Sequence, residues 1–293
     1  MEYISFCPLC KNDNIAYKIS CIDFLVSGKE FSIYQCHNCK FRFTNPRPSV
    51  NESEFYYKSD DYISHTESKS GLINKMYFLV RKITLLQKLR LIKKYRVNNR
   101  ILDIGCGTGA FLNECKKNNM EVSGIEPSEL ARKIGYEKYD IEIFPDEFFF
   151  NCNENYFGIV TMWHVLEHVY DINAYIEKIY RILINNGIFI IALPNPDSYD
   201  AKIYEKFWAA YDVPRHLYHF NKDNIITLAK KFNFSLISII PMKFDSFYIS
   251  LLSEKNKNGK TNFYRAILNG LKSNLLARKD LNYSSLTYIF QKT

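Results

Sequence analysis

From Arg100 onward, short apolar runs alternate with stretches in which apolar residues return every three or four positions. The runs predict strands at 100–104, 121–126, 140–144, 157–162 and 187–193, and the stretches predict helices at 109–118, 128–138 and 171–184. A helix near 221–232, a strand at 234–240 and a last strand at 285–291 follow. Strands that alternate with helices argue for an α/β domain, a parallel sheet covered on both faces. Upstream, Leu72, Ile73, Met76, Leu79, Val80, Ile83, Leu86 and Leu89 recur at helical spacing and predict one long amphipathic helix. Before it, Pro46 and Pro48 close the first segment, because proline extends neither a ladder nor a helix. The expected organisation is a small unit at 1–47, a helical linker or lid at 48–98, and the α/β domain at 99–293. Tyr57, Tyr62 and His65 mix aromatic and polar character just before that domain, as a lid would.

Composition narrows the class. Hydrophobic residues make up 47% and charged residues 24%, globular values that exclude a disordered or collagen-like chain. No apolar run approaches the ~20 residues that span a bilayer, and the N-terminus lacks a secretory pattern, so a cytoplasmic protein is expected. The net charge is +8, yet ten Lys or Arg and no acid lie between Lys69 and Arg100. The basic character therefore belongs to the long helix at 69–100. A solvated face is the plain reading, with an anionic substrate, a membrane surface or RNA as the alternatives.

Four of the eight cysteines form two C-x-x-C pairs, Cys7/Cys10 and Cys36/Cys39. Two such knuckles supply the four thiolates that structural zinc prefers, so residues 1–47 read as a zinc ribbon. A redox C-x-x-C would want a βαβ setting that is missing here, and disulfides suit exported chains. A closed four-sulfur site has no open position, so the metal would hold the fold and do no chemistry. Cys21, Cys106, Cys115 and Cys152 read as small buried apolar residues.

Chemistry concentrates after the first strand of the α/β domain. In Ile101-Leu-Asp-Ile-Gly-Cys-Gly-Thr-Gly, the strand carries Asp103, and Gly105, Gly107 and Gly109 turn the backbone close to a ligand as a helix begins. Gly105-x-Gly107-x-x-Ala110 also satisfies the dinucleotide fingerprint, and Glu126 at the next strand end suits a ribose diol either way, so a nicotinamide cofactor stays open on these residues. Trp163-His-Val-Leu-Glu-His168 follows the fourth strand. Trp208 to Phe220 gathers Tyr211, Asp212, Arg215, His216 and His219 in thirteen residues.

Together the D-I-G-C-G-T-G loop, Glu126, the Leu166-Glu167-His168 segment, Asn186-Gly187, Leu193-Pro194-Asn195 and Asp212-x-Pro-Arg-His-Leu-x-His-Phe220 resemble the class I S-adenosylmethionine-dependent methyltransferases. The likeness is to the bacterial small-molecule branch, over roughly residues 100–293, and some relatives also carry an N-terminal zinc ribbon. The resemblance implies a Rossmann-like seven-strand sheet of order 3-2-1-4-5-7-6, the seventh strand antiparallel, with helices on both faces. It implies that Asp103, Gly105, Cys106, Gly107 and Gly109 hold the methionine part of S-adenosylmethionine. Glu126 would take the ribose hydroxyls, Pro127 would flank the adenine, Asp146 would meet its amine, and Trp163 and His164 would border the site. Gly158 departs from the family, which often has Asp there.

Methyl transfer asks the protein to align an acceptor, exclude water and remove a proton. Histidine suits the last task, its free pKa of ~6.5 lying near working pH. His168 with Glu167 is the first choice of base and His216 the second, while Tyr211, Asp212, Arg215 and His219 face the substrate. A histidine that merely packs or caps, and a loop pinned by an Arg215 salt bridge, are the structural alternatives. The expected acceptor is a small molecule such as a sugar, a quinone-like ring or a lipid-linked intermediate, methylated on oxygen or carbon. An RNA methyltransferase using the ribbon for recognition is the competing function, and a non-catalytic scaffold is the third.

Overall fold

The computed structural model describes residues 1–57 and 72–293, with side chains in the helix at 72–95 described from Val80 on. Strands β1 (Ile15–Ile22), β2 (Glu30–Cys36) and β3 (Arg42–Thr44) form an antiparallel ribbon. A short helix α1 (Val50–Ser53), started by a Ser49/Glu52 capping box, runs into a 3-10 turn at Glu54–Tyr57. Helix α2 (Leu72–Tyr95) follows. It buries Leu89 and Ile92 against Ile101, Phe111, Ile159 and Ile289, while Lys82, Arg90, Lys93 and Lys94 stay exposed. Tyr62, His65 and the first residues of the predicted basic helix, 69–71, lie outside the described residues.

The alternating pattern then delivers β4 (Arg100–Ile104), α3 (Ala110–Lys116), β5 (Glu121–Ile125), α4 (Glu129–Tyr139), β6 (Ile143–Phe144), α5 (Glu147–Asn151), β7 (Phe157–Trp163), α6 (Ile172–Ile182) and β8 (Leu183–Pro194). Ser128 and Asp171 start α4 and α6 by accepting backbone N–H bonds in the first turn. Next come α7 (Tyr199–Tyr204), β9 (Tyr218–His219), α8 (Lys222–Lys231), β10 (Phe234–Pro241), α9 (Asp245–Asn258), α10 (Phe263–Leu276) and β11 (Ser285–Lys292). The large sheet has the order β6-β5-β4-β7-β8-β11-β10, and β11 runs antiparallel to both neighbours. This is the expected 3-2-1-4-5-7-6 arrangement. Its central strands bury both faces, which is why β7 and the Ile188–Leu193 part of β8 are almost wholly apolar.

Three details differ from the pattern reading. The strand expected at 140–144 shrinks to Ile143–Phe144. Helix α6 stops at Ile182, where Leu183 turns extended and opens β8. Helices α5, α7, α9 and α10 and the short strand β9 were not among the predicted elements. At Gly158 a Cβ would collide with the Asn98 side chain and crowd its backbone nitrogen, which accounts for glycine there.

The ribbon is not a detached bead. Its sheet continues through β9, a two-residue strand far along the chain that pairs with β3 at Arg42/His219 and Phe43/Tyr218. Phe41 and Phe43 are fully buried in one cluster with Leu217, Tyr218 and Phe220. Asn224 at the start of α8 donates to the Cys39 carbonyl at 2.8 Å, and Arg42 pairs with Asp197 at 2.9 Å.

Candidate functional site

The glycine loop joins β4 to α3 with left-handed backbone at Gly105, Gly107 and Gly109. Gly105 and Cys106 donate their N–H groups to the Ile125 carbonyl at 2.8 and 3.0 Å, which fixes the loop to β5. A Cβ at Gly107 would meet nothing within 4 Å, so the loop faces open space at the point where a ligand needs close approach. Glu126 closes this cradle, accepting from Gly107 N at 2.9 Å and Ser128 N at 3.0 Å. Asp103 is buried and accepts from the Thr161 hydroxyl at 2.5 Å; burial pushes its pKa up to about 7. Asp146 accepts from the Tyr175 hydroxyl at 2.5 Å, and Pro127 follows Glu126 as the sequence dictates.

Two features here escaped the sequence reading. Lys88 of α2 sits over the Trp163 ring, 4.2 Å from its centroid. Burial draws its pKa down to about 8, against the opposing pull of Asp103 and Asp245. The Trp163 indole N–H is buried and has no hydrogen-bond partner among the described residues. Helical spacing marked Lys88 only as part of a basic face, and nothing local distinguishes it from its exposed neighbours.

Beyond β7 the chain turns through a 3-10 segment, Leu166–His168, and brings Glu167 and His168 to Asp212 and His216 from the distal loop. The Glu167 side chain is 1% exposed, and neither of its oxygens makes a hydrogen bond among the described residues. The ring nitrogens that face it are His164 Nδ1 at 3.6 Å and His216 Nε2 at 4.0 Å. His216 Nδ1 lies 2.9 Å from the Ala210 carbonyl, so that nitrogen carries the proton and Nε2 is left to face Glu167 and, at 4.0 Å, Asp212. His168 stacks edge-on against His216 with ring centroids 4.6 Å apart, and its Nδ1 lies 3.0 Å from both the Arg215 carbonyl and the Tyr57 hydroxyl. Burial lowers the His168 pKa to about 4. His164 goes the other way: burial opposes its charge, but Asp245, 3.3 Å from Nε2, and then Glu167 outweigh it and raise the pKa to about 9. One ligand atom each from Glu167, His168 and His216 lie within 4.8 Å of one another, a spacing that a cation could bridge.

A tight cavity with no room for a water molecule lies beside this cluster, lined by Glu167, Leu193, Trp208, Ala210, His216 and His219. Tyr211 is buried against the edges of Trp208 and His219. His219 reaches Thr44 of the ribbon, 3.4 Å from its Nε2, and burial holds its pKa well below the usual value. Arg215 does not line the cavity. Its guanidinium is 2% exposed and is held by Asp212 at 2.7 Å, Asp23 at 2.9 Å and the Tyr56 carbonyl at 3.1 Å. Asp23, in the turn after β1, is thus a ribbon residue that anchors the distal loop, and no spacing pattern announced it.

At the other end of the ribbon, Cys7, Cys10, Cys36 and Cys39 bring their sulfurs within 4.8 Å of one another. Cys7 and Cys39 stand 3.5 Å apart and Cys10 and Cys36 3.6 Å, near the roughly 3.8 Å edge of a tetrahedron with Zn–S bonds of ~2.3 Å. The two knuckles match: Lys11 and Lys40 each take left-handed backbone after the second cysteine and donate N–H to the first, Cys7 or Cys36.

A family model described as "Methyltransferase domain" matches residues 79–239. The ubiquinone biosynthesis O-methyltransferase of Pelagibacter ubique is 28% identical over 177 residues, covering 54% of this chain and 70% of that protein. The enzyme of the same name from Bradyrhizobium diazoefficiens is 26% identical, and the match spans 42% of this chain and 51% of its length. Among solved structures, an Archaeoglobus fulgidus S-adenosylmethionine-dependent methyltransferase superposes with a TM-score of 0.52 at 21% identity, covering 74% of this chain and 99% of that one. At that identity the likeness is one of fold.

Proposed function

The chain belongs to the methyltransferase-domain family, and from that premise we propose that it moves the methyl group of S-adenosylmethionine to an oxygen or carbon of a small molecule. The observation that carries this reading is the open glycine cradle, with Glu126 at its rim and a buried carboxylate and histidine cluster at the next strand end. The cofactor supplies an already activated methyl group on its sulfonium. Asp103 and the backbone of 105–109 hold its methionine part, with Lys88 poised for the carboxylate and the unpaired Trp163 N–H available to a ligand acceptor. Glu126 takes the ribose hydroxyls, and Pro127 and Asp146 bound the adenine. These residues suit the cofactor in charge and in space.

The acceptor enters beside Glu167 and His216. A proton leaving it goes to His216 Nε2, since Glu167 and Asp212 both face that nitrogen and offset the charge it gains. The sequence put His168 first. A pKa near 4 makes it a weak proton sink, so His168 acts as the ring that packs His216 in place. We assign zinc, as a structural ion, to the four ribbon cysteines. Labelled S-adenosylmethionine incubated with fractionated cell extract tests the reading. Label in a low-molecular-weight or lipid fraction is expected, whereas label confined to RNA would move the function to the competing class.

A further inference from the structure

Helix α10 turns its apolar side outward. Toward the protein it presents Ala266, Gly270 and Ser273, and Gly270 lies so near α9 that a Cβ would press on Phe247 at 2.8 Å. Toward solvent it presents Phe263, Tyr264, Ile267, Leu268, Leu271 and Leu275, each 46% to 73% exposed. At about 100° per residue these six fill an arc of roughly 140°, as wide as the stripe a core helix buries. Arg265 and Lys272 border the arc, and Lys260, Arg278 and Lys279 stand near the helix ends. From Lys260 to Lys279 there are five cations and no acid.

We propose that α10 is a membrane-surface anchor, lying flat on a bilayer that contains anionic lipid, with its apolar stripe at the acyl boundary and its cations on lipid phosphates. Its 14 residues are too few to span, and among the described residues no helix is long and apolar enough to cross a membrane. A second copy of this chain suits the face less well, because a twofold contact sets the patch against itself and brings like charges together. The helix is also tied to the candidate site. Ser273 donates to Asp200 at 2.6 Å, and Asp200 accepts from the Trp208 indole at 2.8 Å, one wall of the cavity beside His216. Seating α10 on lipid would bring that wall close to the membrane.

Co-sedimentation of the full chain with phosphatidylcholine vesicles, with and without phosphatidylglycerol, tests this directly. Binding is expected with phosphatidylglycerol, weakening as salt rises. It should fall roughly tenfold or more in Ile267→Asn/Leu271→Asn, whose changes are solvent-facing and leave the core intact. Three results would overturn the proposal: no vesicle binding by the wild type, binding retained by the double variant, or self-association abolished by that variant without vesicle binding. Arg265→Gln/Lys272→Gln is the second probe; it should lose the preference for anionic lipid while keeping a wild-type circular dichroism spectrum. None of these readouts involves methyl transfer, so the anchor and the catalytic reading stand or fall separately.

Discussion

At the scale of single residues, electrostatics separates four histidines that look alike in sequence. His164 is held charged by Asp245 and Glu167, His168 and His219 are held neutral by burial, and His216 points its free nitrogen at two carboxylates. His216→Ala should therefore lower kcat by roughly 10²- to 10⁴-fold with cofactor affinity nearly unchanged, and His168→Ala should cost less. Steady-state kinetics on the two variants checks the order, and the reverse ranking would return the proton to His168. Stability offers a second test. The folded pKa of His164 is about 9, above the usual 6.5, so its pairing stabilises the fold fully below pH ~6.5 and the gain is lost as pH rises through about 9. The gap in denaturant midpoint between the wild type and His164→Gln should close across that window. A gap that does not change with pH would mean His164 is uncharged in the fold.

At the scale of elements, the sequence located β4, β7, β10, β11 and the helices between the central strands to within a few residues, because a strand buried on both faces and a one-sided helix leave different periods. The paired cysteine knuckles, the glycine loop and the histidine pairs were legible for a similar reason: they are particular residues at short spacing. Long-range partners were not legible. β9 is two residues long and becomes a strand only because β3 offers it an edge. Lys88 over Trp163 and Asp23 on Arg215 join positions 75 and 192 residues apart. Helix α10 carries a helical period of its own, and what the sequence did not show is that this apolar face turns to solvent. The shared sheet changes what metal removal should do. A separable ribbon would loosen alone, but here Phe41, Phe43 and β9 share one core with Leu217 and Phe220. Chelation should thus raise amide hydrogen exchange in residues 7–44 and also in 216–220, while β4 and β7 stay protected. Exchange confined to the ribbon would show that β9 holds its place without metal.

At the scale of the whole molecule, the ends of β4 and β5 carry the glycine loop and Glu126, which we propose as the cofactor cradle, while the ribbon and the distal loop meet beside Glu167 and His216. Asp23–Arg215, Thr44–His219 and Arg42–Asp197 cross between ribbon and large domain, so the small unit helps shape the cavity that its sequence only seemed to precede. The central claim is that the cradle formed by Asp103, Gly105–Gly109 and Glu126 is built for S-adenosylmethionine, although its glycine spacing also suits a dinucleotide. Calorimetric titration of the wild type and Gly107→Val with S-adenosylmethionine, its demethylated product and NAD addresses that claim most directly. Saturable binding of the first two by the wild type, loss of both in Gly107→Val where a side chain fills the open space, and no binding of NAD is the predicted result. Binding of NAD without any response to S-adenosylmethionine would contradict it.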